Sequence, residues 1–267
     1  MKKTTLFKGA LAFAAASVIG ASAHSQTIST VRGDMIFNMY ATGGTGSSYD
    51  YEVDLGNFSN FLPGGIYGSG SLVSLSNVSI TDIGGTGSGG GYGSLWNSDS
   101  DVFWSVVGSN STSGSSHGVS GYAVFATDSA TLDDFSSGTH SLSLNNIGGY
   151  VGDINTSGIS TTANSNGEGI FDNSGNGDQY TVADGGAPNF FGGYLPTTFE
   201  SSANGTSTLG LYEVLNVNNT NPATEVGTFT LSNSGLTYQA VPEPSTWATM
   251  LVGAATLLGF RRRRRNA

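Results

Sequence analysis

Polar and apolar residues alternate most regularly over residues 49–55. Tyr49, Tyr51, Val53 and Leu55 fall on one parity, and Asp50, Glu52 and Asp54 on the other. A period of two puts the apolar set on one face of a strand and the carboxylates on the opposite face, as in a half-buried antiparallel strand with a solvated acidic side. The same reading predicts strands over residues 35–41, 71–80, 102–107, 122–127, 141–144, 209–217, 226–231 and 236–241. The run Val102-Phe103-Trp104-Ser105-Val106-Val107 is apolar on both parities, which predicts a central strand. Asn233-Ser234-Gly235 lies between two alternating segments and is a hairpin signal, with a glycine available for positive φ. One short helix is predicted over 130–135, capped by Asp128 or Ser129, with Leu132 and Phe135 on one face. The Gly-rich stretch 84–93 and the segment 156–186 read as long loops or insertions.

Composition narrows the fold class. Forty-one glycines and few lysines or glutamates argue against a helical protein, while 14 Phe, 11 Tyr and 3 Trp supply a core. The expectation is an all-β protein, an antiparallel β-sandwich or jelly-roll-like ectodomain over residues 24–240. With no cysteine, disulfides, thiolate metal sites and cysteine nucleophiles are excluded. Charge is distributed unevenly. Of nine Lys and Arg residues, three lie before residue 9 and five after residue 260, so Arg32 is the only one between. All 19 acidic residues fall between Asp34 and Glu243, so residues 24–243 carry one positive against 19 negatives, a formal −18. Such a surface repels phosphate, and no nucleic-acid partner is expected.

The two ends read as targeting segments. Lys2, Lys3 and Lys8 precede the apolar run 9–20, and Ala21-Ser22-Ala23 has the small-x-small form of a cleavage site. Residues 1–23 are therefore expected to be a signal peptide, exported by the Sec machinery and cut by signal peptidase after Ala23. At the other end, residues 245–260 form a 16-residue run without charge. At ~1.5 Å per helical residue it would be roughly 24 Å long, slightly short for a bilayer-spanning helix. Arg261, Arg262, Arg263, Arg264 and Arg265 follow directly and would hold that end in the cytoplasm. With both basic ends inside, residues 24 to about 241 are expected outside the cytoplasmic membrane.

The order Val241-Pro242-Glu243-Pro244-Ser245, a short apolar span, then a basic end resembles the PEP-CTERM sorting signal of bacterial exported proteins. The resemblance covers residues 241–267. It implies Pro242, Glu243 and Pro244 as the sorting motif and exosortase as a partner. It also implies a transient inner-membrane anchor, then a place at the cell surface or in an exopolysaccharide-rich extracellular matrix. Gly33-Asp34-Met35-Ile36-Phe37, with Tyr51-Glu52-Val53-Asp54-Leu55-Gly56, resembles a recurring opening of such ectodomains, and the hairpin before Val241 resembles their closing. The family is defined largely by its signal, so no catalytic residues come with it.

The remaining motifs carry little chemistry. Gly114-Ser115-Ser116-His117-Gly118 fits G-x-S-x-G, but a strand-like run follows where a hydrolase elbow needs a helix. Gly85-Thr86-Gly87-Ser88-Gly89-Gly90 fits G-x-G-x-x-G with no helix after it to receive a phosphate. His24, His117 and His140 have no close partner in sequence. The neighbouring acids Asp50/Glu52/Asp54, Asp99/Asp101 and Asp133/Asp134 are candidate glycosidase pairs, outweighed by their reading as a solvated face. Asp172, Ser174, Asn176 and Asp178 place oxygens at alternate positions with Gly177 at the sixth, like the first half of a calcium loop. Ala183 stands where that loop needs its bidentate acid, so an Asx/Gly turn is the competing reading. No catalytic residue and no cofactor is expected, calcium being the one candidate. The leading expectation is a non-enzymatic, exosortase-processed surface or matrix protein. Two other classes stay open: a glycan- or calcium-binding adhesin module, for which Tyr92, Trp96 or Tyr194 would be exposed, and a secreted hydrolase.

Overall fold

In the computed structural model the described residues are 30, 33–47, 49–85, 91–110, 123–129, 160–163, 168–172, 199–215 and 223–241, with backbone alone for 49, 160–163, 168–172 and 215. They form one antiparallel sheet. In chain order the strands are β1 (Asp34–Ala41), β2 (Tyr49–Asn57), β3 (Val73–Leu75), β4 (Val102–Asn110), β5 (Ala123–Asp128), β6 (Ser160–Ala163), β7 (Glu168–Asp172), β8 (Ser201–Ser202), β9 (Ser207–Leu215), β10 (Thr224–Ser232) and β11 (Gly235–Ala240). Their order across the sheet is β3-β11-β10-β9-β5-β4-β1-β2-β7-β6, with β8 added beside β4. One helical turn, α1 (Ile80–Ile83), is capped by the Ser79 side chain, which accepts from Asp82 N.

Period-two alternation places the core. Met35, Phe37 and Met39 of β1 point to the same side as Tyr51, Val53 and Leu55 of β2. Trp104 and Val106 of β4, Phe125 of β5, Leu209 and Leu211 of β9, Phe229 and Leu231 of β10 and Tyr238 of β11 complete that inner face. A flat sheet would hold β11 and β2, six strands apart, at roughly 29 Å. The structure instead brings their ends together. Phe58, just after β2, stacks on Phe125 at 4.7 Å between ring centroids, and Phe61 lies 5.6 Å from Phe229 and 5.1 Å from Tyr238. The Tyr238 hydroxyl donates to Phe61 O at 2.7 Å. The sheet therefore curls around one core, in a barrel-like manner close to closure.

Most strand expectations hold within a residue or two. β4 is buried almost throughout, as its two-sided apolar run requires. The hairpin forms as read: Ser232 pairs with Gly235 across Asn233-Ser234, and Gly235 takes φ 131°, a conformation that disfavours a side chain. Two expectations are corrected. The strand over 71–80 shrinks to β3, because Asn77 turns the chain to bond Asp54 O and α1 begins at Ile80. The segment 156–186 is not wholly loop, since β6 and β7 lie within it and β7 pairs with β2. Residues 130–135 and 141–144 lie outside the described residues.

Candidate functional site

Two features could carry function: an acidic layer on the outer face of the sheet and the tail beyond β11. The layer comes from the second parity of the strands. Asn38 pairs with Glu52 and Ser105, and Tyr40 pairs with Asp50, so these side chains share one face. Glu200, just before β8, joins them by accepting from the Tyr40 hydroxyl at 2.6 Å, while the Tyr40 ring stacks on Phe103. Asp50, Glu52, Asn38 and Ser105 are fully buried, and Asp34, Asp128 and Glu200 nearly so. This overturns the reading of Asp50 and Glu52 as a solvated acidic face. Alternation reports which side chains share a face, not whether water reaches it. Here β2 lies between β1 and β7, and both of its faces are covered.

Burying carboxylates is costly in a region with so few cations. The electrostatics show it. Tyr92 donates to Met39 O and accepts from Tyr51 N at 3.1 Å, which fixes its ring across the β1–β2 seam. Burial, and then the Asp50 and Glu52 charges, push the Tyr92 hydroxyl well above its ordinary value. Glu213 is also raised by burial. Asp54 is raised from 3.8 to about 6, first by burial and also by Asp34, against the lowering bond from Gly56 N at 2.6 Å.

The Asp54 shift has a definite sign. A carboxyl raised in the folded state favours folding fully below its unfolded pKa, and that contribution is lost as pH rises from 3.8 through about 6. Asp54→Asn is therefore expected to stabilise the domain at pH 8 and to change little at pH 4. After screening of this half-buried group is allowed for, the gain is about 1–2 kcal/mol. Urea midpoints at both pH values check it, and an equal effect at each would contradict it.

Among the described residues the other sequence candidates do not assemble a site. Tyr92 and Trp96 are each 3% exposed, so neither offers a ring to a glycan, and Tyr194 lies outside the described residues. Asp99 and Asp101 form a turn, with Asp101 N donating to the Asp99 carboxylate at 2.9 Å. Asp133, Asp134, Ser116, His117 and His140 lie outside the described residues. So do Ser174, Asn176 and Asp178, and Asp172 is placed only by its backbone at the end of β7. Among the described residues no group of three or more acidic or histidine side chains is arranged to hold a metal ion. The Glu200–Tyr40 contact joins residues 160 positions apart, and nothing local in the sequence signals it.

The tail starts where the sheet stops. Ala240 is the last residue of β11, and Val241 N extends the ladder by donating to Val226 O at 3.0 Å. No helix among the described residues is long and apolar enough to cross a membrane, and residues 242–267, with the sorting motif and arginines, lie outside them, as do residues 1–23 with Ala21 and Ala23. No match was found among curated proteins or among solved structures. Residues 240–265 match the family described as the PEP-CTERM protein-sorting motif, a tail recognised by exosortase. The match begins on the last strand residue, so directly after β11 the chain carries a tail that matches the PEP-CTERM sorting motif.

Proposed function

We propose that this is a non-enzymatic protein of the cell surface or extracellular matrix, delivered there by exosortase processing. The observation that carries the reading is the position of the sorting motif, which begins as β11 ends and so can be removed without taking a strand with it. In this reading residues 1–23 are a signal peptide, 24–240 an all-β ectodomain, and 245–260 a transient membrane helix held by Arg261–Arg265. The buried placement of Asp50 and Glu52 supports a structural role for the acids that a glycosidase would use. An acidic domain with many Ser, Thr and Asn side chains suits a hydrated polymer, which makes exopolysaccharide the partner to look for. Fractionation of native cells with and without exosortase tests the reading. With the enzyme, the protein is expected in the outer or matrix fraction, and without it in the inner membrane. The same distribution in both strains would overturn the reading.

A further inference from the structure

We propose that, before processing, one end of the β domain rests on the outer leaflet of the cytoplasmic membrane, with Ile66, Leu72 and Val241 seated among the lipid headgroups. This rests on the reading of residues 245–260 as a membrane span. The register defines the end in question. Asp34 opposes Asn57, Met35 opposes Gly108, Asn110 opposes Ala123, and Ala123 opposes Leu215. Thr224 opposes Glu213, and Gly227 opposes Ala240. The first residue of β1 and the last of β11 therefore lie at the same end of the sheet. From Val241 to Ser245 is four residue steps, no more than about 14 Å when fully extended. A span starting at Ser245 keeps this end, and not the other, against the bilayer.

That end is built for such a contact. Residues 58–72 connect β2 to β3 and lie across it. Phe58 N donates to Gly33 O at 2.8 Å, Phe61 packs on Phe229 and Tyr238, and Gly70 O accepts from Gln239 Nε2 at 3.2 Å. Four large apolar side chains are exposed among the described residues, and two of them, Ile66 (75%) and Leu72 (66%), sit on this segment. A third, Val241, marks the exit of the chain. The fourth, Leu95, belongs to the opposite end, where Asn97 O accepts from Gly205 N and Asp101 O from Thr42 N. Residues 57–81 contain no Asp, Glu, Lys, Arg or His, in a region that otherwise carries 19 acids. An uncharged surface with protruding aliphatics suits the interface, which disfavours carboxylates. Among the described charged side chains at that end, Asp34 is buried, Asp54 and Glu213 are half-buried, and Glu225 is exposed on β10, so the contact is assigned to residues 58–72.

The chain has no cysteine, so single-cysteine labels report without background. Unprocessed protein from cells lacking exosortase would be placed in phosphatidylethanolamine/phosphatidylglycerol vesicles carrying nitroxide lipids. The fluorophore is attached in turn through Ile66→Cys, Leu72→Cys, Leu95→Cys and, within the tail, Thr249→Cys. The expected result is strong quenching at 249 and quenching at 66 and 72 several-fold above that at 95. Quenching at 249 with 66 and 72 no different from 95 overturns the docking and leaves the span standing; the apolar end would then serve a protein partner such as the exosortase. Absence of quenching at 249 overturns the span, and the docking with it.

Discussion

Replacing Pro242, Glu243 and Pro244 with alanine is expected to leave export intact and trap the protein in the inner membrane. The effect is close to all-or-none, because the substitution touches the signal that exosortase reads and neither of the segments that insert the chain. In the proposed reading export depends on residues 1–23, which are unchanged. The β domain should fold as before, since β11 ends at Ala240 and its last ladder bond is made by Val241. In the same reading retention follows from Arg261 to Arg265, whose charges would resist passage through the bilayer and anchor whatever is left attached to them. Immunoblots of inner-membrane and outer fractions read the outcome, with the unprocessed mutant running larger than the wild type. Wild-type distribution of the mutant would mean that the motif is not what is recognised.

The second large effect belongs to the core. Gly227→Ala is expected to destabilise the domain by about 3 kcal/mol, combining the cost of overpacking with that of a lost buried hydrogen bond. A Cβ at Gly227 would lie 2.1 Å from the Tyr238 hydroxyl oxygen and 2.3 Å from its Cζ. The ring has nowhere to go. It is fully buried, set 4.8 Å from Phe229 and edge-on to Phe61 at 5.1 Å. Its hydroxyl bonds Phe61 O at 2.7 Å and Val226 O at 3.1 Å, and burial has raised its pKa well above the usual tyrosine value. The bond to Phe61 O ties β11 to the segment that crosses from β2 to β3, so displacing the ring loosens the closure of the sheet. In a Tyr238→Leu background the same Gly227→Ala change should cost much less, and the double-mutant cycle isolates the contact. A cost below about 1 kcal/mol for the single change in the wild-type background would show that the ring moves freely.

These two predictions mark how far the sequence was legible. Strand positions and inner-face residues followed from period two, because an apolar parity such as Tyr51-Val53-Leu55 has to find a core. The hairpin at Asn233-Ser234-Gly235 followed from turn chemistry. The sorting tail was readable because its parts are contiguous and each has a physical role. The acidic layer was misread. Asp50 and Glu52 look like a solvated face, and only tertiary packing over that side of β1, β2 and β4 removes them from water. The same limit applies to Tyr92 and Trp96, whose rings fill the interior although their glycine-rich neighbourhood reads as an open loop. The curling of the sheet was also hidden, since it depends on Phe58 and Phe61 reaching strands that occur far later in the chain.

Intact mass of the protein from the outer fraction of its native cells tests the central claim most directly. The account predicts a species that begins at His24 and lacks the span after Pro244. A species that still carries Arg261–Arg265 would contradict it and would leave the domain anchored at the cytoplasmic membrane by its tail.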